Sequence, residues 1–378
     1  MDSPPGGGEG ERVALGAGRM ATLYPATGLP ATGVLSGVQY LRAGAALAVV
    51  AYHALQWCDG GFDVGRAGVD VFFVISGVIM WRVTASRRVS PGRFLWRRFT
   101  RVAPLYWLAT LLVAAIAQVW PGFLPEVRPG LGHLLLSLAF VPHLDPRGLP
   151  FPTLPPGWTL DYEMIFYLLF ALALVVSVAH RARLVAAFLG GVVIAGFLFP
   201  DSAYYMGANP MLLQFAAGVG LGVMAGRGRL PSRAWGCGLL VAAVMVWILV
   251  QVGGLFTELW RPLVWGIPAT LAVAGALAVE AGGGGALVRW PRGRAHQTLM
   301  ALGDSSYSIY LFHLPATALI AHSLGYGRPW LFIPLSMAVS ILAGLAAHRW
   351  IEKPLLRASR AMNAPRVFGR KPVSRRVR

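Results

Sequence analysis

An all-α integral membrane protein, a bundle of about ten transmembrane helices with both termini cytoplasmic, is the fold class this sequence predicts. Three observations predict it. Only 13% of the 378 residues are charged and 56% are hydrophobic. Soluble domains carry about 25% charged residues, so a mean hydropathy of +0.60 excludes an ordinary soluble protein. Apolar runs of about 20 residues, the length that crosses a hydrocarbon core, recur along the chain. When these runs are threaded alternately, 27 Lys and Arg fall on one side and five on the other, with Arg42 inside the first run. Basic residues crowd the cytoplasmic side of a membrane protein, so both termini are placed there. The net charge of +18 therefore reports topology and contact with anionic lipid, and no nucleic-acid partner is expected.

In chain order, residues 1–36 are rich in Gly and Pro, lack apolar periodicity and are predicted to be disordered. The first long apolar stretch begins far from Met1 and reads as a retained helix, not a cleaved leader. Helices are predicted over 38–57, 67–83, 99–120, 158–179, 184–200, 210–226, 235–252, 262–280, 303–322 and 330–350. One transmembrane domain thus covers 37–356, and 357–378 is a basic cytoplasmic tail. Residues 121–157 hold nine prolines and read as a long outer loop. Within it, Leu131–Val141 is too short to span, so it either lies on the surface or re-enters. Cys58 and Cys237 fall on opposite sides, which disfavours a disulfide between them. No Cys/His metal spacing, phosphate-cradling Gly loop, dinucleotide fingerprint or nucleophile elbow is present.

The polar residues in and beside the apolar runs are the candidate site. Arg42 and His53 are eleven residues apart on the first predicted helix, about three turns plus roughly 20°, so they share one face about 16–17 Å apart along the axis. Ala43, Gly44, Ala46 and Ala51 between them permit close helix packing. An arginine in a membrane needs a partner or a water-filled cavity. A basic anchor and a proton-transfer group on one face suggest a site reaching into the bilayer; the plainer reading is a snorkelling arginine and a hydrogen-bonded core histidine. Arg98 and Arg101 share a helix face at the cytoplasmic surface, where two guanidinium forks suit a phosphorylated ligand or simply follow the topology. Trp158 opens the fourth span, followed by Asp161 and Glu163 about 200° apart, so at most one acid faces the bundle interior. Glu163 is either a functional group or a solvated partner of the helix dipole. Ser306, Tyr310 and His313 lie along one face, either as a polar path or as interhelical hydrogen bonds.

Six segments in order carry a family resemblance. They are Gln39-Tyr40-Leu41-Arg42 through His53 (R-x10-H), Gly68-Val69-Asp70-Val71-Phe72-Phe73-Val74-Ile75-Ser76-Gly77, and Arg98-Phe99-Thr100-Arg101 (R-x-x-R) ahead of Pro104-Leu105-Tyr106-Trp107. Trp158-Thr159-Leu160-Asp161-Tyr162-Glu163, Tyr307-Ser308-Ile309-Tyr310-Leu311-Phe312-His313 and Glu352-Lys353-Pro354 follow. The chain resembles the membrane-bound acyltransferase 3 family, near its exopolysaccharide O-acetyltransferase branch. The resemblance implies transfer of an acyl group, usually acetyl, from cytosolic acyl-coenzyme A to a sugar hydroxyl in the bacterial cytoplasmic (inner) membrane. It implies His53 and Glu163 as catalytic groups and Arg42, Arg98, Arg101, Asp70, Tyr310 and His313 as substrate-binding residues. Acyl-coenzyme A enters as a donor substrate and no tightly bound cofactor is expected. The expected partners are a carbohydrate acceptor, the bilayer and polysaccharide-export proteins. Met164 departs from the commoner pattern, in which a second acid stands there, so a two-carboxylate role is not expected.

An imidazole with pKa near 6.5 is able to take a hydroxyl proton at neutral pH, or to accept the acyl group first and pass it on. The rival function is a secondary transporter or flippase, whose helices also carry buried Arg, His and Glu. No duplication of motifs between the two halves supports that rival.

Overall fold

The computed structural model describes residues 34–85, 89–125, 127, 130–199, 209–254, 261–282 and 293–362. The described residues are helical and contain no strand. Among the described residues ten long helices occur, each overlapping one of the expected runs: α1 (Ser36–Gln56), α2 (Ala67–Ala85), α3 (Pro91–Val119), α5 (Trp158–Ala173), α6 (Val178–Leu198), α7 (Leu212–Gly226), α8 (Arg233–Gly253), α9 (Ile267–Ala281), α10 (Arg294–Leu324) and α11 (Pro329–Ala347). Two short helices join them, α4 (Leu131–Leu138) in the Pro-rich loop and α12 (Lys353–Met362) at the end. Residues 1–33 of the expected disordered segment and 363–378 of the expected tail lie outside the described residues. Helix α12 runs through Met362, into the stretch expected to form the basic tail.

Six of these segments are long and apolar enough to cross a membrane by length and composition: Asp63–Ala85, Pro91–Val119, Val178–Leu198, Arg233–Gly253, Pro262–Ala281 and Pro329–Ala361. The remaining long helices are α1, α5, α7 and α10. Helix α7 is apolar but short, and the other three carry the polar residues singled out above.

Helix α1 is the hub, packed against α2, α9, α10 and α11. The periphery behaves differently. Helix α8 buries only Gly236, Ala243 and Val250, which stand seven residues apart and form one narrow stripe. Its Val241, Val244, Met245, Ile248 and Leu249 are exposed. Such a continuous apolar face has no place in water and suits lipid.

Of the small residues of α1, Ala43 and Ala46 are fully buried, and glycines of the neighbouring segments also allow close approach. Gly44, expected to admit another helix, faces open space. A Cβ at Gly68 would instead collide with the Ala45 carbonyl, and one at Gly65 with the Ala48 carbonyl, so α2 is pressed onto α1. In the Pro-rich loop, the Asp145 carboxylate accepts from the Arg147 and Leu149 backbone N–H groups at 2.7 and 3.0 Å and pairs with the Arg147 guanidinium at 2.6 Å. Burial alone would raise its pKa, but these donors hold it below the ordinary carboxylate value. The clasp is therefore complete above about pH 4 and opens only as pH falls through that lowered value.

Candidate active site

Three cavities follow one another from the end of the bundle where α1 starts to the end where it stops. The first, a vestibule of about 880 Å³, is lined by Arg42, Arg97, Arg98 and Arg101 and by Lys353, Arg357 and Arg360 at and beyond the start of α12. The second, an inner cavity of about 160 Å³, shares Arg42, Arg98 and Arg101 with the vestibule and adds Ser76, Glu163 and Tyr167. The third, an outer cavity of about 430 Å³, is lined by His53, Gln56, Arg66, Trp158, Tyr162 and Arg261, among others. Pockets for drug-sized ligands run about 300–1,000 Å³. The vestibule and the outer cavity meet that size, whereas the inner one admits only a slender chain.

Each predicted residue has a definite place. The Arg42 guanidinium finds both a partner and a cavity: its Nε and Nη2 donate to Ser306 Oγ at 3.2 and 3.0 Å. Along the same face of α10, Tyr310 lines the inner and outer cavities, and the His313 ring lies 5.0 Å from that of His53. The row Ser306, Tyr310, His313 thus runs beside the Arg42–His53 face of α1. It joins the two groups that the first helix separates.

His53 sits in the last turn of α1. Its Nδ1 lies 2.9 Å from Gln56 Oε1, and Gln56 Nε2 donates to Tyr52 OH at 2.7 Å. With the amide so placed, Nδ1 carries the hydrogen and Nε2 keeps its lone pair, the form a general base needs. His313 donates Nδ1–H to the Tyr310 carbonyl at 2.6 Å, and its buried Nε2 has no hydrogen-bond partner among the described residues.

The two expected catalytic groups, His53 and Glu163, line different cavities. Glu163 lines the inner cavity and not the outer one with His53. It accepts from Ser76 Oγ at 3.1 Å and from Tyr167 OH. Asp161 is the other acid of the pair considered for the bundle interior; it is buried as well but lines none of the three cavities. Asp70, expected at the substrate, also lines none of them. It is fully enclosed, accepting from Arg261 Nη2 at 3.0 Å and from Gln214 Nε2. Its position is that of a support for Arg261, which does reach the outer cavity.

The two arginines of R-x-x-R also differ from each other. Arg98 lies with its guanidinium carbon 5.8 Å from the Phe94 ring centroid. Arg101 commits Nη1 to Glu352 at 2.6 Å, so part of its fork is already taken.

Glu352 belongs to the matched motif Glu352-Lys353-Pro354, but the polar pattern of the sequence left it without a role, and its contacts place it beside the candidate site. It accepts from Arg101, from Ser308 Oγ at 2.6 Å and from His348 Nδ1 at 2.7 Å, and its side chain is 2% exposed. A π-helical turn, His348–Glu352, brings it there; such turns often mark functional sites. Arg261 was discoverable, since it is one of only five basic residues on the expected outer side.

A family model for an acyltransferase domain matches residues 35–349. The chain is 38% identical over 317 residues to the exopolysaccharide production protein ExoZ of Rhizobium meliloti, covering 82% of this chain and 95% of that one. It is 28% identical to a putative membrane-bound transacylase, BcsY, of Komagataeibacter xylinus, covering 83% and 81%. It is 25% identical to the peptidoglycan O-acetyltransferase OatA of Listeria monocytogenes, covering 83% of this chain and 54% of that one. No solved structure matches the chain.

Proposed function

The chain belongs to the acyltransferase 3 family, and on that premise we propose that it moves an acetyl group from cytosolic acetyl-coenzyme A to a hydroxyl of an exported polysaccharide or its lipid-linked precursor. The observation that carries this reading is the series of three cavities, basic at one end and holding His53 at the other. The vestibule has the size and charge for the nucleotide and phosphates of the donor, held by charge-assisted hydrogen bonds from Arg98, Arg101 and their neighbours. The narrow inner cavity suits the slender arm that carries the thioester. The outer cavity, with Trp158, Tyr162 and two arginines, suits a sugar.

In the chemical step, the acceptor hydroxyl oxygen attacks the thioester carbonyl while His53 Nε2 takes its proton. A C–O bond forms, the C–S bond breaks, and the proton passes to the departing thiolate. Glu163 balances the arginines of the inner cavity, on the donor side of the reaction. The resemblance of the chain to ExoZ favours an exopolysaccharide as the acceptor.

This reading needs ten spans in the cytoplasmic (inner) membrane, with both termini cytoplasmic and the vestibule on that side. Single cysteines at Leu144 and Arg229, both exposed, test it in a protein with Cys58 and Cys237 replaced. An impermeant maleimide should label residue 144 in intact cells and residue 229 only after lysis. Labelling of both from the same side would sink the ten-span arrangement.

The donor assignment is tested by calorimetry of the purified protein with acetyl-coenzyme A. Arg98→Ala should weaken binding by about 1.5–3 kcal/mol, roughly 10–150-fold, with thermal stability little changed. Arg98→Lys should rescue only partly, because a point charge lacks the planar fork. Wild-type affinity in Arg98→Ala would return this arginine to a purely topological role.

A further inference from the structure

We propose that Val69 and Tyr310 form the aperture between the donor and acceptor cavities and set the length of acyl group that is transferred. The proposal rests on the acyltransferase reading above. Among the described residues, only these two line both the inner and the outer cavity. Arg98, Arg101 and Glu163 lie on one side of them, and His53 lies on the other. An acyl carbon that leaves the coenzyme A sulfur for an acceptor oxygen must therefore meet the hydroxyl and His53 at this opening.

Both sides of the opening are held in place. Val69 stands next to Gly68, whose backbone is pressed against the Ala45 carbonyl and the Val49 side chain, so α2 has no room to retreat toward α1. A β-branched valine in a helix also keeps one strongly preferred χ1 rotamer. Opposite it, the Tyr310 hydroxyl shares a hydrogen bond with Thr159 Oγ1 at 3.0 Å and donates to the Pro156 carbonyl at 3.0 Å. The tyrosine is thereby tied to α10 at its backbone and to the start of α5 at its tip. Phe72, one turn beyond Val69, packs edge-on to the Tyr310 ring with centroids 6.3 Å apart. An opening with two rigid sides selects by size. A single methylene in such an apolar site is worth about 10–200-fold in discrimination.

The test uses the full-length protein and its variants in membranes of cells deleted for the native copy. Radiolabelled acetyl-, propionyl- and butyryl-coenzyme A serve as donors, and the strain's own exported polysaccharide, freed of esters by mild base, serves as acceptor. Wild type should prefer acetyl strongly over butyryl. Val69→Ala should raise butyryl transfer relative to acetyl by about tenfold or more. Val69→Phe should stop transfer of all three groups, a loss far larger than any weakening of acetyl-coenzyme A binding read by calorimetry. Should Val69→Phe accumulate poorly, Val69→Leu should lose butyryl and propionyl transfer before acetyl. An unchanged acetyl-to-butyryl ratio in Val69→Ala, or full activity in Val69→Phe, would overturn the aperture while leaving the acyltransferase reading in place. Absence of label with the wild type would instead overturn both.

Discussion

Purified His53→Gln should transfer acetyl at about a hundredth of the wild-type rate or less, yet bind acetyl-coenzyme A with unchanged affinity. The expectation follows from where the imidazole stands. His53 lines the outer cavity, away from the arginines proposed to hold the donor, so its loss should leave donor binding intact. Glutamine keeps polarity and hydrogen bonding but is unable to accept a proton near neutral pH, and general-base catalysis typically contributes about 10²–10⁴-fold. His53→Ala should be as inactive. Initial rates with radiolabelled acetyl-coenzyme A, set beside calorimetric donor affinity, check both variants. Near-normal turnover by His53→Gln would remove the base from the mechanism. Wild-type protein incubated without acceptor tells the two routes apart: label retained on the protein, and lost in His53→Ala, marks an acyl-imidazole intermediate.

Asp70→Ala should cost about 3–5 kcal/mol of stability, because it breaks a buried ion pair by removing one partner and takes the Asp70 charge away from a buried Arg261. The two side chains are 0% and 3% exposed and lie 3.0 Å apart, so solvent screens them little. Thermal unfolding of the purified protein in detergent measures the loss. Removing both charges is a different experiment. Asp70→Leu combined with Arg261→Met should recover most of the stability, since replacing a buried pair by apolar groups of similar volume is often neutral. The double variant should still use its acceptor poorly, because Arg261 lines the outer cavity. A wild-type unfolding temperature in Asp70→Ala would show that the pair is not the prop that its burial implies.

Apolar runs made the helices legible in the sequence, but not all of their ends. Helix α10 starts at Arg294, nine residues before the expected 303; its first turn, Arg294-Ala295-His296-Gln297-Thr298, is mostly polar and gives little hydropathy signal. Helix α5 stops at Ala173, short of 179. The connection after it, Leu174-Val175-Val176, is itself apolar and offers no Gly or Pro to mark a break. At the site, helical spacing correctly placed Arg42 and His53 on one face but said nothing of what divides them. The proposed divider combines one residue of α2 with one of α10, positions 241 apart in the chain. The same limit applies to Asp70. Its motif marks it out, whereas its role depends on Arg261 and Gln214, which no local pattern links to it. Glu352 likewise acquires meaning only when a π-turn brings it to Arg101.

The basic vestibule has a kinetic consequence. A concave wall of arginines and a lysine within low-dielectric surroundings focuses an attractive field into solution, and a polyanion is drawn into it faster than neutral diffusion allows. The attraction does not distinguish the loaded carrier from the spent one, since both bear the same phosphates. Capture would therefore be quick and discharge slow. Free coenzyme A would compete for the same wall, so the ratio of acetylated to free carrier in the cytosol, more than the amount of either, would govern how heavily the exported glycan is decorated.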